Sequence, residues 1–323
     1  MKKLTKVPNL ALLLAVAGMA SIAPARAAQL STDARTAVPH DVQQLVVIDY
    51  RAMENSAAAM DLRGRVMPPK LKEFDEALTK SGLNENHDVE QLAFALFRPS
   101  SSGESLVTVG IAQGQFPVQD ILANFTKNKV KPKMIRTNKV YPLVKTGMVL
   151  CFVDASTMVF GSQDAVKKAL DARDGVEPSM LTNNTIMDAM KTVDTASLWS
   201  VLDQTGTRVM MKQVLGEAGA GSVTDLETVQ KRLQGSWYGM DFRHGVKFDL
   251  TISTGDTFAA ATISSLLTAA VLVRKMSGSD AEKQALADTE IASDSGNMSI
   301  HFAATDNDFS SLLRSPLFQS MVH

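Results

Sequence analysis

A chain of 323 residues that is 45% hydrophobic can bury one large core or two medium ones. Its formal net charge of −1 excludes the basic surface that phosphate recognition needs, so nucleic acid is not an expected partner. A single cysteine excludes an internal disulfide, and sparse aromatics (6%) do not suggest a sugar-binding groove.

The N-terminus reads as an export signal. Lys2, Lys3 and Lys6 precede an uncharged run from Leu10 to Ala23, and Ala25-Arg26-Ala27 supplies small residues for a cut near Ala27. The run is short for a bilayer span, which takes about 20 residues. The leader (1–27) holds four of the 33 basic residues and no acid, leaving 29 basic against 34 acidic side chains, a net charge near −5. A disulfide-free exported chain fits a bacterial periplasmic or secreted protein better than an extracellular eukaryotic module. Residues 28–41 are polar and irregular and read as a linker.

Gln44 to Tyr50 is a β-branched apolar run, a strand that closes on Asp49. Leu71, Phe74 and Leu78 line one face of a helix over 70–80, which Gly82 stops. Strands follow over 89–98 and 105–112, with a turn at 100–103. Pro117 opens a helix whose stripe is Val118, Ile121, Leu122 and Phe125. Residues 133–144 have strand character, 148–153 and 157–160 read as a hairpin, and Ser162 caps a helix that ends near Gly175. Cys151, inside an apolar strand, reads as a small buried hydrophobe.

A second series begins after Pro178. It comprises a helix over 185–193, a strand over 197–203, a helix over 208–215 that runs out in glycines, and a helix over 226–233. A hairpin follows over 237–243 and 246–253. Thr257 to Val273 carries no charge; it reads as a strand end and then a buried helix, not as a membrane span. Residues 277–295 are polar and partly helical, 298–303 form a strand and 308–314 a short helix.

The two series share an order of elements. VVID ending at Asp49 matches SVLD ending at Asp203, and AFALFR ending at Arg98 matches GMDFR ending at Arg243. The strand from Gly103 to Gly114 matches that from Gly245 to Gly255, with Phe116 or Phe258 soon after. Met148-x-Leu150-x-Phe152 matches Met298-x-Ile300-x-Phe302, which sets His301 opposite Cys151. The expected fold is α+β: two similar units, 42–176 and 177–323, each a mainly antiparallel sheet with helices on one face. The late string Phe152, Asp154, Thr157, Val159, Gly161, Ser162, Ala165, Val166, Ala169 and Leu170 resembles that of a group of uncharacterised exported bacterial proteins built of repeated α+β units. The resemblance implies export and a repeated fold; it carries no activity or site residues.

No reactive constellation is legible. His40, His87, His244, His301 and His323 are scattered, with no H-x-x-x-H pair, no G-x-S-x-G and no phosphate loop, so no metal and no cofactor is expected. Asp306-Asn307-Asp308 lacks the glycine and glutamate of a calcium loop. Asp49 and Asp203 are candidate binding carboxylates, read either as two acids at one rim of a sheet or as caps of the helices that follow. Arg98 and Arg243 are candidates of the same kind, with strand-end salt bridges as the plain alternative. The expected function is an exported non-enzymatic protein that binds a protein or envelope component through a sheet face or the cleft between units. The alternatives are an exported hydrolase with dispersed catalytic residues and an envelope-associated structural protein.

Overall fold

A computed structural model of the chain describes residues 29–98, 106–143, 147–217, 230–316 and 318. The leader, the turn at 100–103 and most of the helix expected over 226–233 lie outside the described residues.

The fold is α+β. Twelve antiparallel strands form one sheet in the order β11-β12-β10-β9-β8-β1-β2-β3-β7-β6-β5-β4. The strands are β1 (Val42–Asp49), β2 (Val89–Phe97), β3 (Val107–Gly114), β4 (Lys133–Ile135), β5 (Asn138–Leu143) and β6 (Met148–Phe152). They continue with β7 (Thr157–Gly161), β8 (Leu198–Leu202), β9 (Gly235–Asp241), β10 (Val246–Ser253), β11 (Thr289–Asp294) and β12 (Asn297–Ala304). At the centre β1 pairs with β8, Leu45 opposite Val201 and Val47 opposite Trp199. From this pair the order runs outward as β1-β2-β3-β7-β6 on one side and β8-β9-β10-β12-β11 on the other. The expected match of residues 148–152 with 298–302 therefore joins strands in different places, because β12 stands where β7 does.

Strand alternation assigns each side chain to a face. Leu45, Val47, Ala93, Ala95, Phe97, Ile111, Val159, Trp199 and Val201 point to one face, called A here. They pack under α1 (Thr32–Thr36), α7 (Gln163–Arg173) and α8 (Asn184–Val193). Face B of the same first-half strands carries Leu92, Phe94, Ala112, Leu150, Met158 and Phe160. It is covered by α2 (Tyr50–Glu54), α4 (Pro69–Lys80) and α6 (Val118–Lys127), through Tyr50, Phe74, Leu78, Ile121 and Phe125. The short α5 (Glu85–Asp88) leads into β2.

The expectation of helices on one face only is thus corrected for the first half. The reason is compositional: its strands are apolar on both faces, and a doubly apolar strand must be buried twice. In the second half face A is covered over β8 and β9, where α8 packs on Trp199, Val201 and Trp237, and is bare over β10 and β12. Lys247, Asp249 and Thr251 of β10 and Asn297, Ser299 and His301 of β12 point to face A and are exposed or half-exposed. Its face B packs under α3 (Ala57–Val66), α9 (Gln204–Glu217), α10 (Thr257–Ser277), α11 (Asp280–Ala287) and α12 (Asp306–Leu312).

Two further expectations change. Of the linker expected over 28–41, the described residues 29–41 are not free: Leu30, Ala34, Ala37 and Val38 are buried against the face-A core, and Ser31 caps α1 by accepting from the Ala34 amide. Four small apolar residues among polar ones give too weak a period to be read locally. The polar stretch 277–295 holds both α11 and the edge strand β11. Ser279 and Glu282 form a reciprocal capping box at the start of α11, a signal present in the sequence.

Candidate functional site

The candidate residues fall in two pairs at opposite ends of the sheet. Asp49 and Asp203 end β1 and β8, and these strands are antiparallel. The Asp49 amide donates to the Ser197 carbonyl (2.7 Å), and the Asp203 amide donates to the Gln43 carbonyl (3.0 Å). The two carboxylates therefore occupy opposite rims, and the reading of two acids at one rim is ruled out. Each does the same local job. Asp49 accepts from the Ala52 amide (2.9 Å) at the start of α2, and Asp203 from the Gly206 amide (2.7 Å) at the start of α9. Burial raises both carboxyls above the ordinary carboxylate value, against the pull of the cap amides.

The arginines follow the same geometry. Arg98 leaves β2 beyond Phe97, which pairs with Val42, so it lies at the Asp203 rim. Its Nε is buried and meets no acceptor among the described residues. Arg243 leaves β9 at the Asp49 rim, where its backbone amide (2.9 Å) and guanidinium donate to Asp241. That pairing holds the Asp241 carboxyl below its ordinary range. Replacing Asp49 or Asp203 with alanine should cost about 1 kcal/mol each, the loss of one helix cap. A urea midpoint series checks this; a much larger loss at either site would show a role beyond capping.

Between the two halves, on face B, the central strands carry a small polar cluster. The Gln44 amide donates to Ser200 Oγ (3.2 Å), and the half-buried Tyr238 hydroxyl interacts with both. Burial raises the Tyr238 phenol above its ordinary value. These groups satisfy one another across β1, β8 and β9.

His87 lies at a concavity of about 420 Å³ lined by His87, Asp88, Gly114, Gln115, Phe116, Pro117, Ala155 and Ser156. The Asp88 carboxylate bonds His87 Nδ1 (2.8 Å) and accepts from the Asn84 amide (2.7 Å). An acid–histidine pair beside a serine invites a hydrolytic reading. The surroundings speak against it. The amides of Gly114, Gln115 and Phe116 donate to the carbonyls of Ser156, Asp88 and Ala155, so they are not available to an oxyanion. The Ser156 hydroxyl donates to Asp154 (2.8 Å). Among the described residues no three His, Cys, Asp or Glu side chains converge as metal ligands.

Cys151 is 1% exposed on the face-A side of β6. Burial pushes its thiol up to about 11 from an ordinary 9. The raised folded value fixes the sign. Stability is intact below pH 9 and falls as pH rises towards 11, because the unfolded chain releases the proton first. The loss should reach about 2 to 3 kcal/mol above pH 11. Cys151→Ala should remove that part of the alkaline slope in denaturation curves. The tyrosines Tyr141 and Tyr238 shift in the same direction and will keep a residual slope.

The most unusual surface is α10, where the expectation of a buried helix fails. Asp256 caps it, accepting from the Ala259 amide (2.7 Å). Ala259, Ala260, Ile263 and Leu267 form one buried stripe, and Ile263 and Leu267 pack with Met211, Leu233, Ile252 and Met298. The opposite side faces solvent: Phe258 is 77% exposed, Leu272 57%, Val273 60% and Met276 84%. Four of the ten exposed large hydrophobic side chains among the described residues sit on this helix, Leu272, Val273 and Met276 close together towards its end and Phe258 at its start. The helix has 21 residues and a mean hydropathy of 1.5, long and apolar enough to cross a membrane, yet only 22% of that apolar stretch is buried. The first charges come in its last turn, at Arg274 and Lys275.

The sequence matches no protein family and no curated protein. Among solved structures it is similar to TP0453. Crystal form III of that protein superposes with a TM-score of 0.51 at 11% identity, covering 90% of this chain and 100% of the other. Crystal form I gives 0.48 at 11% identity, covering 91% and 100%. At this identity the likeness is one of fold alone. It supports a mixed helix and antiparallel sheet architecture over nearly the whole chain.

Sequence reading found the apolar run at 257–273 but not the exposed patch of Phe258, Leu272, Val273 and Met276. The available signal was that the run is apolar all round, while a single buried stripe accounts for only four of its residues.

Proposed function

We propose that this is an exported, non-enzymatic bacterial envelope protein that works by docking through the outer face of α10. The observation that carries this reading is the exposure of Phe258, Leu272, Val273 and Met276 on one helix. Exposed large apolar side chains gathered on one helix mark an interaction surface better than the same number scattered singly. The leader expected over 1–27 supports an envelope setting. The earlier candidates Asp49, Asp203 and Arg243 are each engaged in a cap or an ion pair and carry no part of this reading. Two similar α+β units remain part of this proposal: the strand order outward from β1 and β8 is the arrangement that a duplicated chain would give.

The test is fractionation of cells producing the protein. The wild type should sediment with the envelope, and the triple variant Phe258→Ser, Leu272→Ser, Met276→Ser should move to the soluble fraction. These side chains are exposed, so each change should alter stability by less than about 0.5 kcal/mol. A triple variant that folds and still sediments with the envelope would overturn the reading.

A further inference from the structure

The outer face of α10 has a chemistry that narrows what it docks on. We infer that its occupant is the interface of a lipid bilayer, and that α10 lies in the plane of that interface with its inner stripe still packed on the sheet. The inference rests on the docking reading above and names its partner.

Three observations favour lipid over a protein surface. First, no ionisable side chain occurs from Thr257 to Val273 on any side of the helix, and protein interfaces are rarely so bare: they carry a direct hydrogen bond for every 100 to 200 Å² or so. Second, two of the hydroxyls in the apolar stretch are bonded to the helix's own backbone. Thr262 Oγ1 donates to the Phe258 carbonyl (2.8 Å) and Ser265 Oγ to the Ala261 carbonyl (2.9 Å), which lowers the cost of desolvating them. Ser277 does the same with Val273 (3.0 Å). Third, Lys275 follows closely on the apolar stretch, where a long basic side chain can reach headgroups while its stem stays in the apolar layer.

The packing decides between lying in the plane and spanning. At 1.5 Å per residue the 21-residue helix is about 31 Å long, enough to span. Spanning would strip Ile263 and Leu267 from Met211, Leu233, Ile252 and Met298, and would carry the Asp256 cap and its Arg232 partner out of water. Lying in the plane keeps every one of these contacts. It buries only the side chains that are now exposed, which is the behaviour of an interfacial helix.

The experiment uses the exported protein as it accumulates in the cell, mixed with vesicles of a zwitterionic phosphatidylcholine. The protein should float with the vesicles, and the bound fraction should hold when salt is raised to 1 M, since apolar burial and not charge drives it. The Phe258→Ser, Leu272→Ser, Met276→Ser variant should lose at least tenfold in partitioning, roughly what removing a few buried methylenes gives. Met134→Ser, at an exposed apolar side chain elsewhere, should leave it unchanged. Tryptophan placed at 258, 265 or 272 should be quenched by bromines near the headgroup end of the acyl chains and not by bromines near the chain ends. Quenching of position 265 from the bilayer centre would overturn the in-plane placement. Failure of the wild type to float would overturn lipid as the partner. If envelope sedimentation still depended on the same three residues, the docking reading would stand with a protein partner. A dimer in solution that the triple variant dissolves would instead place a second copy on this face.

Discussion

Replacing Trp199 with alanine should destabilise the fold by about 3 to 5 kcal/mol, the cost of emptying a large aromatic site in a packed core. Trp199 is fully buried on β8, one of the two central strands. It lies opposite Val47 of β1 and Gly239 of β9, and its ring belongs to the core that joins the sheet to α8 through Ile186 and Met190. Native domains hold only about 5 to 15 kcal/mol in total, so the loss is a large fraction. Trp199→Phe should cost far less, about 1 kcal/mol, because the buried indole Nε1 has no partner among the described residues and so no hydrogen bond there to lose. Urea midpoints of the two variants check this. Equal losses for Phe and Ala would mean that ring volume is not what matters at this position.

Gly114→Ala is the second large effect, expected near 3 kcal/mol. A Cβ at Gly114 would stand 1.8 Å from the Asp88 carbonyl oxygen and 3.0 Å from the Val89 Cα. Both are backbone atoms, so no side-chain rotation relieves the contact, and the cost sits at the upper end for overpacking. The clash falls where β2, β3 and β7 meet: Val89 pairs with Gly114, the Gly114 amide donates to the Ser156 carbonyl, and the Gln115 amide donates to the Asp88 carbonyl. Gly64→Ala is the matching control. Gly64 lies on α3 with open space around its Cα, and alanine there should stabilise by about 0.5 to 1 kcal/mol through helix propensity and a stiffer unfolded chain. Thermal unfolding of both variants gives opposite shifts; a neutral Gly114→Ala would show that this corner of the sheet can open without loss.

Much of the secondary structure was legible because its causes are local. The alternating or β-branched runs at 44–50, 89–98, 148–153 and 246–253 became strands, and the helix stripe of Val118, Ile121, Leu122 and Phe125 became α6. Ser162 and Pro117 stand at the helix starts read for them. Asp49 and Asp203 were legible as caps for the same reason: a carboxylate one residue before a helix has amides within reach whatever the rest of the chain does. The rival reading, two acids at one rim, needed the relative direction of β1 and β8. These strands are about 150 positions apart in sequence, and nothing in either reports how they pair. The hidden helix α1 and the doubly covered first half were missed on similar grounds. Both depend on which apolar faces find partners far along the chain.

The long uncharged helix shows the division most plainly. Local chemistry made α10 helical, capped it at Asp256 and withheld charge until Arg274. None of that decides how many sides of an apolar helix are covered, because coverage depends on whether a second layer lies above it. The sheet takes one stripe of α10, Ala259, Ala260, Ile263 and Leu267. No described element covers Phe258, Leu272, Val273 and Met276, which stay in solvent. The sequence by itself determined where the elements begin, which residues cap them and that this run is apolar. Only the tertiary structure decided that its outer face is open, since burial is set by neighbours that the local sequence does not contain.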